Sequence, residues 1–491
     1  MTQVALTAHN NEAVGADDIP RLPIVSFRDE VAEAVISGGR LCALFGVPIK
    51  ENALELVAVV GDDAEGRLSI LSSQVSGSYP SLTPGCPQAH LFEREIAERF
   101  GVLPIGHPWL KPVRFTHSEF PAIGDFFRVE GPQVHEVAVG PVHAGVIEPG
   151  HFRFQCNGEE VMHLEIALGY QHRGVERALV GAPNPRTIHL METAAGDTTA
   201  GHALAFCHAV ESLSKRGAPP RAQGIRGIAL ELERMANHAG DLGALGGDVG
   251  FLPTSAYCGR LRGDLLNLTA LLCGSRFGRG LIRPGGVLFD LDDARIYEML
   301  ARLDRIMSDL TSAVELLWET PSVLARFEET GTVSRSSSDA LGLVGPAARA
   351  GGVERDVRQD YPSGIYRFFR IPVSSMSSGD VFARAFVRWL EVMRSAAFVR
   401  EQATALAGGL IRAEEGPLSP RRLVVSLVEG WRGEICHVAA TDKAGRFSTY
   451  KVIDPSFHNW AGLAMAMRGG EISDFPLCNK SFNLSYCGHD L

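Results

Sequence analysis

Sulfur, carboxylate and imidazole groups able to handle electrons or protons occur along the whole chain, but the sulfurs are widely spaced. The nine cysteines stand at positions 42, 86, 156, 207, 258, 273, 436, 478 and 487, and no CxxC pair occurs. Iron–sulfur clusters and sulfur-rich nickel or zinc sites draw on closely paired thiolates, so the expectation is that the chain holds no metal or cluster directly. Scattered cysteines of this kind read as small buried apolar residues. The carboxylates and histidines are better grouped. Asp241 and Asp248 in HAGDLGALGGDVG are two helical turns apart, with His238 one turn before the first. They form a polar track if the glycines between them do not break the helix, and His238 is otherwise structural. His172, Arg173 and Glu176 in QHRGVE alternate in charge. They read either as an ion-paired helix start or as a contact in which Arg173 meets a partner or an anion. The glycine-rich GALGGDVG and RPGGV lack the strand-turn-helix setting of a dinucleotide loop.

The elements that must position these groups fall into two parts. With 491 residues the chain exceeds what one core usually organises. A content of 45% hydrophobic and 21% charged residues is that of a folded chain. The net charge of -10 argues against nucleic acid as a partner. No apolar run is long enough to span a bilayer, and the first twenty residues lack a signal-peptide pattern, so a cytoplasmic location is expected. LCALFGVPI and ALELVAVVG read as strands, and HLFEREIAERFGV as a helix with Leu91, Ile96 and Phe100 on one stripe and its charges opposite. Pro121, Gly124, Gly131 and Pro132 mark a linker. Beyond it, HEVAVGPVHAGVIEPGHFRFQCNGEEVMHLEIALG reads as a hairpin or small sheet. Long amphipathic helices follow at Arg221–Leu245, Asp292–Trp318 and Asp380–Leu406. RRLVVSLVEGWRGEICHVAATDKAGRFSTYKV returns to strand, turning at Gly430 to Gly433. The expected class is α+β: a small α/β domain, then a mainly helical domain with β excursions.

FEREIAERFGVLPIGHPWLKPVRF, Phe92 to Phe115, resembles the end of the thirty-kilodalton subunit of complex I. The text from about Gly140 onward resembles the forty-nine-kilodalton subunit of complex I and, more closely, the large subunits of group 4 nickel–iron hydrogenases such as formate hydrogenlyase. That likeness runs through GPVHAGVIEPGHFRF, LGYQHRGVE, ELERMANHAGDLGALGGDVGF, GSRFGRGLIRPGGV, DVRQDYP, GDVFAR, EGWRGE and DPSFHNW. It implies a domain like the thirty-kilodalton subunit over residues 21–116, a linker over 117–137 and a hydrogenase-like domain over 138–491.

Those hydrogenases hold nickel through two CxxC pairs. Matching the family's His to His202 and its Glu to Glu211 places the first pair on Ala195 and Thr198. The second falls on Ser485 and Gly488, with Cys487 between them. The resemblance thus implies the fold without the nickel–iron centre. Glu148 stands where related hydrogenases pass protons to the metal, a task that suits a carboxylate of adjustable pKa. It also stands where the quinone-facing His of complex I would be, while His143 matches the first His of that loop and Asp248 its acidic partner. The quinone Tyr, two residues before Glu192, is replaced by Leu190. Glu192, Asp197 and His202 surround the vacated first pair, where a buried Asp197 needs a cation or a proton unless Asp197 or Thr198 merely caps a helix. His172, Arg173 and Glu176 are expected to line the old cavity facing a partner's cluster.

The expectation is a subunit of a membrane-associated, formate hydrogenlyase-like or complex I-like oxidoreductase. It would take part in electron transfer and proton coupling without its own nickel. Its partners would be an Fe–S small subunit and antiporter-like membrane subunits on the inner face of the cell membrane. Fe–S clusters, and NAD(H) or quinone, would be supplied through those partners. The alternative is a noncatalytic scaffold that docks the Fe–S subunit to the membrane subunits.

Overall fold

The computed structural model describes residues 4–50, 52–117, 125–143 and 147–491. Pro121 and Gly124 of the expected linker, and Ala144 to Val146 of the GPVHAGVIEPGHFRF segment, lie outside them.

Three long antiparallel strands, Arg40–Lys50, Ala53–Asp62 and Arg67–Ser76, carry the first module. Most of their residues are buried on both faces, which explains the near-continuous apolar text of LCALFGV and LVAVV. The helix Ile24–Ile36 covers one face, and the helix His90–Phe100 packs on Arg40–Lys50. Gly101, at φ 69°, ends the second helix in the left-handed conformation that favours glycine. The expected division of this helix into an apolar stripe and an opposite charged face does not hold. Glu93 and Glu95 are buried with Leu91 and Ile96. Glu93 accepts from the hydroxyls of Ser81 and Thr83 and the N–H groups of Leu82 and Thr83. Glu95 is paired with Arg114 and Lys451. Tertiary partners override the amphipathic pattern because each buried charge there is neutralised or hydrogen-bonded.

Residues ahead of position 21 tie the two modules together. Leu6–Ala8 pairs with Arg67–Ser76 of the first sheet, and Ala13–Gly15 pairs with Arg422–Gly430 of the last. Between them Asn10 is buried and bonds its side chain to the backbone of Leu427 and Tyr361. The core of the first module continues into one face of the C-terminal sheet through Leu423, Val425, Leu427, Cys436 and Val438.

The second module opens on an antiparallel three-stranded sheet, Val134–Val139, His151–Asn157 and Glu160–Ala167. Its centre is the helix Pro220–Asp248, packed against Leu252–Cys273 and Val381–Thr404, with Asp293–Trp318 outside. The helices Pro220–Asp248, Asp293–Trp318 and Val381–Thr404 reproduce the three expected ones within a few residues. The glycines of GDLGALGGD do not break the central helix. A Cβ on Gly243 would lie 2.7 Å from the Cβ of Cys258, so this glycine allows two helices to approach closely. The helix Thr199–Ser214 lies on the C-terminal sheet Arg422–Gly430, Gly433–Thr441 and Phe447–Ile453, whose antiparallel order matches the expected return to strand.

Candidate functional site

Four segments converge where the sequence places the vacated sulfur positions. They are the loop 192–198 leading into Thr199–Ser214, the turn at Trp431 and Arg432, the start of the helix Pro455–Met467, and the C-terminal turn 485–488. Ala195, Thr198 and Ser485 are buried. Ser485 caps the short helix Tyr486–Asp490, its hydroxyl accepting the N–H of Gly488 at 2.9 Å.

The space between the four positions is taken by charged side chains. Arg432 donates to both oxygens of Asp197, at 2.5 and 2.8 Å, and to the Thr198 hydroxyl at 3.3 Å. Its Nε reaches the carbonyl of Asn483 at 2.5 Å, and its guanidinium lies 3.9 Å from the centroid of the Trp431 ring. Asp197 has thereby found its cation. It does not cap the following helix through its side chain, and neither does Thr198. Glu233 takes that part, accepting from the N–H groups of Ala200 at 2.6 Å and Gly201 at 3.2 Å. Burial pushes the Glu233 carboxyl up to about 8, aided by Asp197 and opposed by the two N–H groups.

Asp454 fills the other side. A Cβ built on Gly488 would lie 2.7 Å from the carboxylate carbon of Asp454 and 2.9 Å from its Oδ2. A cysteine cannot be seated there without displacing that carboxylate. Asp454 is fully buried and fixed, Oδ2 against Nε2 of His202 at 3.0 Å and Oδ1 accepting from the Ser456 N–H at 2.8 Å. Burial opposes its charge, but His202, Arg432 and the Ser456 side chain outweigh it and hold the carboxyl below its ordinary value. From His202 a buried chain continues to His437 at 3.1 Å and to the Tyr450 hydroxyl at 2.9 Å. Burial, reinforced by His202, keeps His437 well below the usual imidazole range. These donors and acceptors do not fit a nickel–iron centre. Two of the four sulfur positions have no side chain able to ligate, and an ion pair and a fixed carboxylate occupy the cavity. Among the described residues no group of three or more His, Cys, Asp or Glu side chains is arranged to hold a metal ion.

Glu148 is brought to this place. It accepts from the N–H groups of Tyr486 at 3.3 Å and Cys487 at 3.4 Å, beside Ser485 and Gly488, and pairs with neither Arg153 nor His151. Burial and the neighbouring Glu148 push the Cys487 thiol up to about 11, so it stays protonated. His143 hydrogen-bonds the carbonyl of Gly150 at 3.1 Å, within the same loop. Asp248 is exposed at the last turn of the central helix, and among the described residues no hydrogen bond or ion pair joins it to Glu148 or His143. Asp241, on the same helix, is buried against Arg388 and Asn483, and His238 is buried against Glu391 at 2.8 Å. The expected polar track is therefore one internal ion pair, Asp241 with Arg388, one internal hydrogen bond, His238 with Glu391, and one exposed end.

The QHRGVE residues divide. Arg173 bonds the carbonyls of Thr193, Ala194 and Cys487, joining the loop of the first vacated pair to the turn of the second. His172 bonds the carbonyl of Asp490 at 2.8 Å. Glu176 does not line the cavity; it is buried beneath Arg99 and Lys451, at 2.7 and 2.9 Å, because those cations come from the first module and the last sheet. Glu192 is buried and accepts from Arg283, the Gly280 N–H and His189. Burial opposes its charge, and these donors still keep the carboxyl below its usual value. Leu190 is half-buried beside it. Arg432, Asp454, Glu233, His437 and Tyr450 were not singled out from sequence. EGWRGE, DPSFHNW and ELERMANHAGDLGALGGDVGF, which hold Arg432, Asp454 and Glu233, carried a signal.

Residues 36–126 match the family model of the respiratory-chain NADH dehydrogenase 30 Kd subunit, and residues 248–421 that of the 49 Kd subunit. The carbon monoxide-induced hydrogenase of Rhodospirillum rubrum is 31% identical over 351 residues, spanning 71% of this chain and 97% of that protein. The chain belongs to the family of hydrogenase large subunits and complex I 49 Kd subunits. Formate hydrogenlyase subunit 5 of Escherichia coli K12 is 29% identical over 94% of this chain and 87% of its own length, so that likeness extends over both modules. NADH-quinone oxidoreductase subunit 4 of Thermus thermophilus is 29% identical over 70% of this chain and 90% of its own. Among the described residues of this family member no helix is long and apolar enough to cross a membrane.

Proposed function

We propose that this chain is a subunit of a membrane-associated oxidoreductase complex of the formate hydrogenlyase or complex I kind. It docks an Fe–S small subunit and antiporter-like membrane subunits on the inner face of the cell membrane. It takes part in electron transfer and proton coupling without a nickel site of its own. Fe–S clusters, and NAD(H) or quinone, come through the partners. The observation that carries the nickel-free reading is the carboxylate of Asp454 in the volume that a cysteine side chain at position 488 would need. Glu148 is the proton-handling residue of this reading, since it is the candidate carboxylate that lies against the C-terminal turn of the cavity while remaining half-exposed. His143 shares its loop, Asp248 is a separate second candidate for proton handling, and His172 and Arg173 are docking contacts toward the partner's cluster.

The test is copurification of the chain with its genomic neighbours, followed by elemental analysis and electron-transfer assays. The expected result is iron with acid-labile sulfide, no nickel, and electron transfer that Glu148→Gln slows at least tenfold. Stoichiometric nickel would refute the reading. Unaltered electron transfer and proton movement in both Glu148→Gln and Asp248→Asn would leave the noncatalytic scaffold, which the replacement at Leu190 and the filled cavity also favour.

A further inference from the structure

Directly beneath the Trp431–Arg432 turn, at the junction of the two modules, lies a second set of charges that the site above does not use. Five carboxylates, Glu231, Asp356, Glu391, Glu429 and Glu434, are each at most 3% exposed. Four guanidiniums face them, from Arg40, Arg234, Arg349 and Arg358. The set therefore carries one uncompensated negative charge in the interior, where an unpaired ion is costly and a proton is the least expensive remedy.

The carboxylates are not equally held. Glu231 accepts from Arg234, Arg358, Tyr366 and Ser395. Asp356 accepts three bonds from Arg358, and Glu434 is gripped from both sides by Arg40. Glu391 has Arg349 at 2.6 Å, His238 at 2.8 Å and Arg234 at 3.5 Å. Among the described residues Glu429 has only one Nη of Arg349, at 2.8 Å, and the Val357 N–H at 3.1 Å. That guanidinium is shared with Glu391, and Glu434 stands directly opposite Glu429 across the antiparallel ladder. Like charges opposite one another on a sheet disfavour ionisation. The nearby Nδ1 of His238 and Nε of Arg349 are buried without partners, so neither is engaged with Glu429.

We propose that Glu429 is a proton-binding site, and that its occupancy switches the buried cluster beneath the vacated metal cavity between neutral and singly negative. The groups facing it are Arg349, Asp356 and Arg358 from the segment before and within Val357–Asp360, Arg234 and His238 from the central helix, Glu391 from Val381–Thr404, and Glu434 from its own sheet. Burial is the main influence and pushes the Glu429 carboxyl up to about 6; Arg349, Arg358 and Arg234 oppose it and Asp356 adds to it. The site connects to the cavity by the backbone. Arg234 donates to the carbonyls of Glu429 and Gly430, two residues from the Arg432 that holds Asp197. One added proton thus alters the field at the turn that fills the cavity.

The test is pH-difference infrared spectroscopy of the purified full-length chain, following the carbonyl band of protonated carboxylic acids. The wild type is expected to show one such band disappearing with a midpoint near pH 6. Glu429→Gln is expected to remove it, and Asp360→Asn, at the neighbouring carboxyl that burial pushes up to about 7, to leave it. If Glu429→Gln does not fold, Glu429→Asp keeps a carboxyl on a shorter stem and is expected to move both the band and its midpoint. A wild-type spectrum without a band titrating near pH 6, or one unchanged in the Glu429 variants, overturns the proposal.

Discussion

Gly488→Ala adds a single methyl group at a point where its cost can be worked out. The position is the third residue of a short helix, where alanine on its own would gain up to about 1 kcal/mol over glycine. Against that gain, the new Cβ would sit 2.7 Å from the carboxylate carbon of Asp454 and 2.9 Å from both its Oδ2 and the Ser485 hydroxyl. Ordinary contact lies beyond about 3.4 Å, and Asp454 is held at both oxygens by His202 and Ser456, so it cannot swing aside without breaking a buried bond. Overpacking of this kind costs about 1–3 kcal/mol, and a weakened buried hydrogen bond to a charge adds about 1–2 kcal/mol. The expected net loss is about 2 kcal/mol, read as a lowered urea midpoint at unchanged slope. Combined with Asp454→Ala, which removes the obstructing carboxylate, the double variant should lose less than the two single losses together by at least about 1 kcal/mol. A Gly488→Ala protein as stable as the wild type, or strict additivity with Asp454→Ala, would refute the argument that a fixed carboxylate excludes a side chain at the fourth sulfur position.

Arg432→Met strands Asp197 and should cost about 2–4 kcal/mol in urea unfolding, below the figure for a fully enclosed pair because the Asp197 side chain is 32% exposed. The double variant with Asp197→Asn should recover part of that loss. His458 is buried and held down to about 3, chiefly by burial, against 6.5 when unfolded. Its contribution is therefore present above pH 6.5 and lost as pH falls toward 3, and His458→Gln should reduce the acid-side slope of stability by up to about 1.4 kcal/mol per pH unit. Gly243→Ala should destabilise the helix pair at Cys258 by about 1–3 kcal/mol, while Gly259→Ala, which meets nothing within 4 Å, should not; equal effects would contradict the close-approach account.

Much of the frame was legible because it depends on periodicity and local chemistry. The long helices and the last three strands follow from apolar spacing that tertiary contacts reinforce. The likeness to hydrogenase and complex I subunits was also written in the residue order. What fills the vacated cavity was not. Asp197 and Arg432 are far apart in sequence, as are Asp454 and Gly488, and nothing in any of these segments signals that a carboxylate will close off the space beside a glycine. The helix His90–Phe100 shows the same limit. Its pattern of charges suits a solvent-facing side, yet Glu93 and Glu95 are buried because Ser81, Thr83, Arg114 and Lys451 arrive from elsewhere to satisfy them. The sequence by itself determined the elements and their family, since these rest on residue identity and short-range spacing. Only the tertiary structure decided which charge neutralises which, because a buried ion's partner is set by where distant segments meet in space.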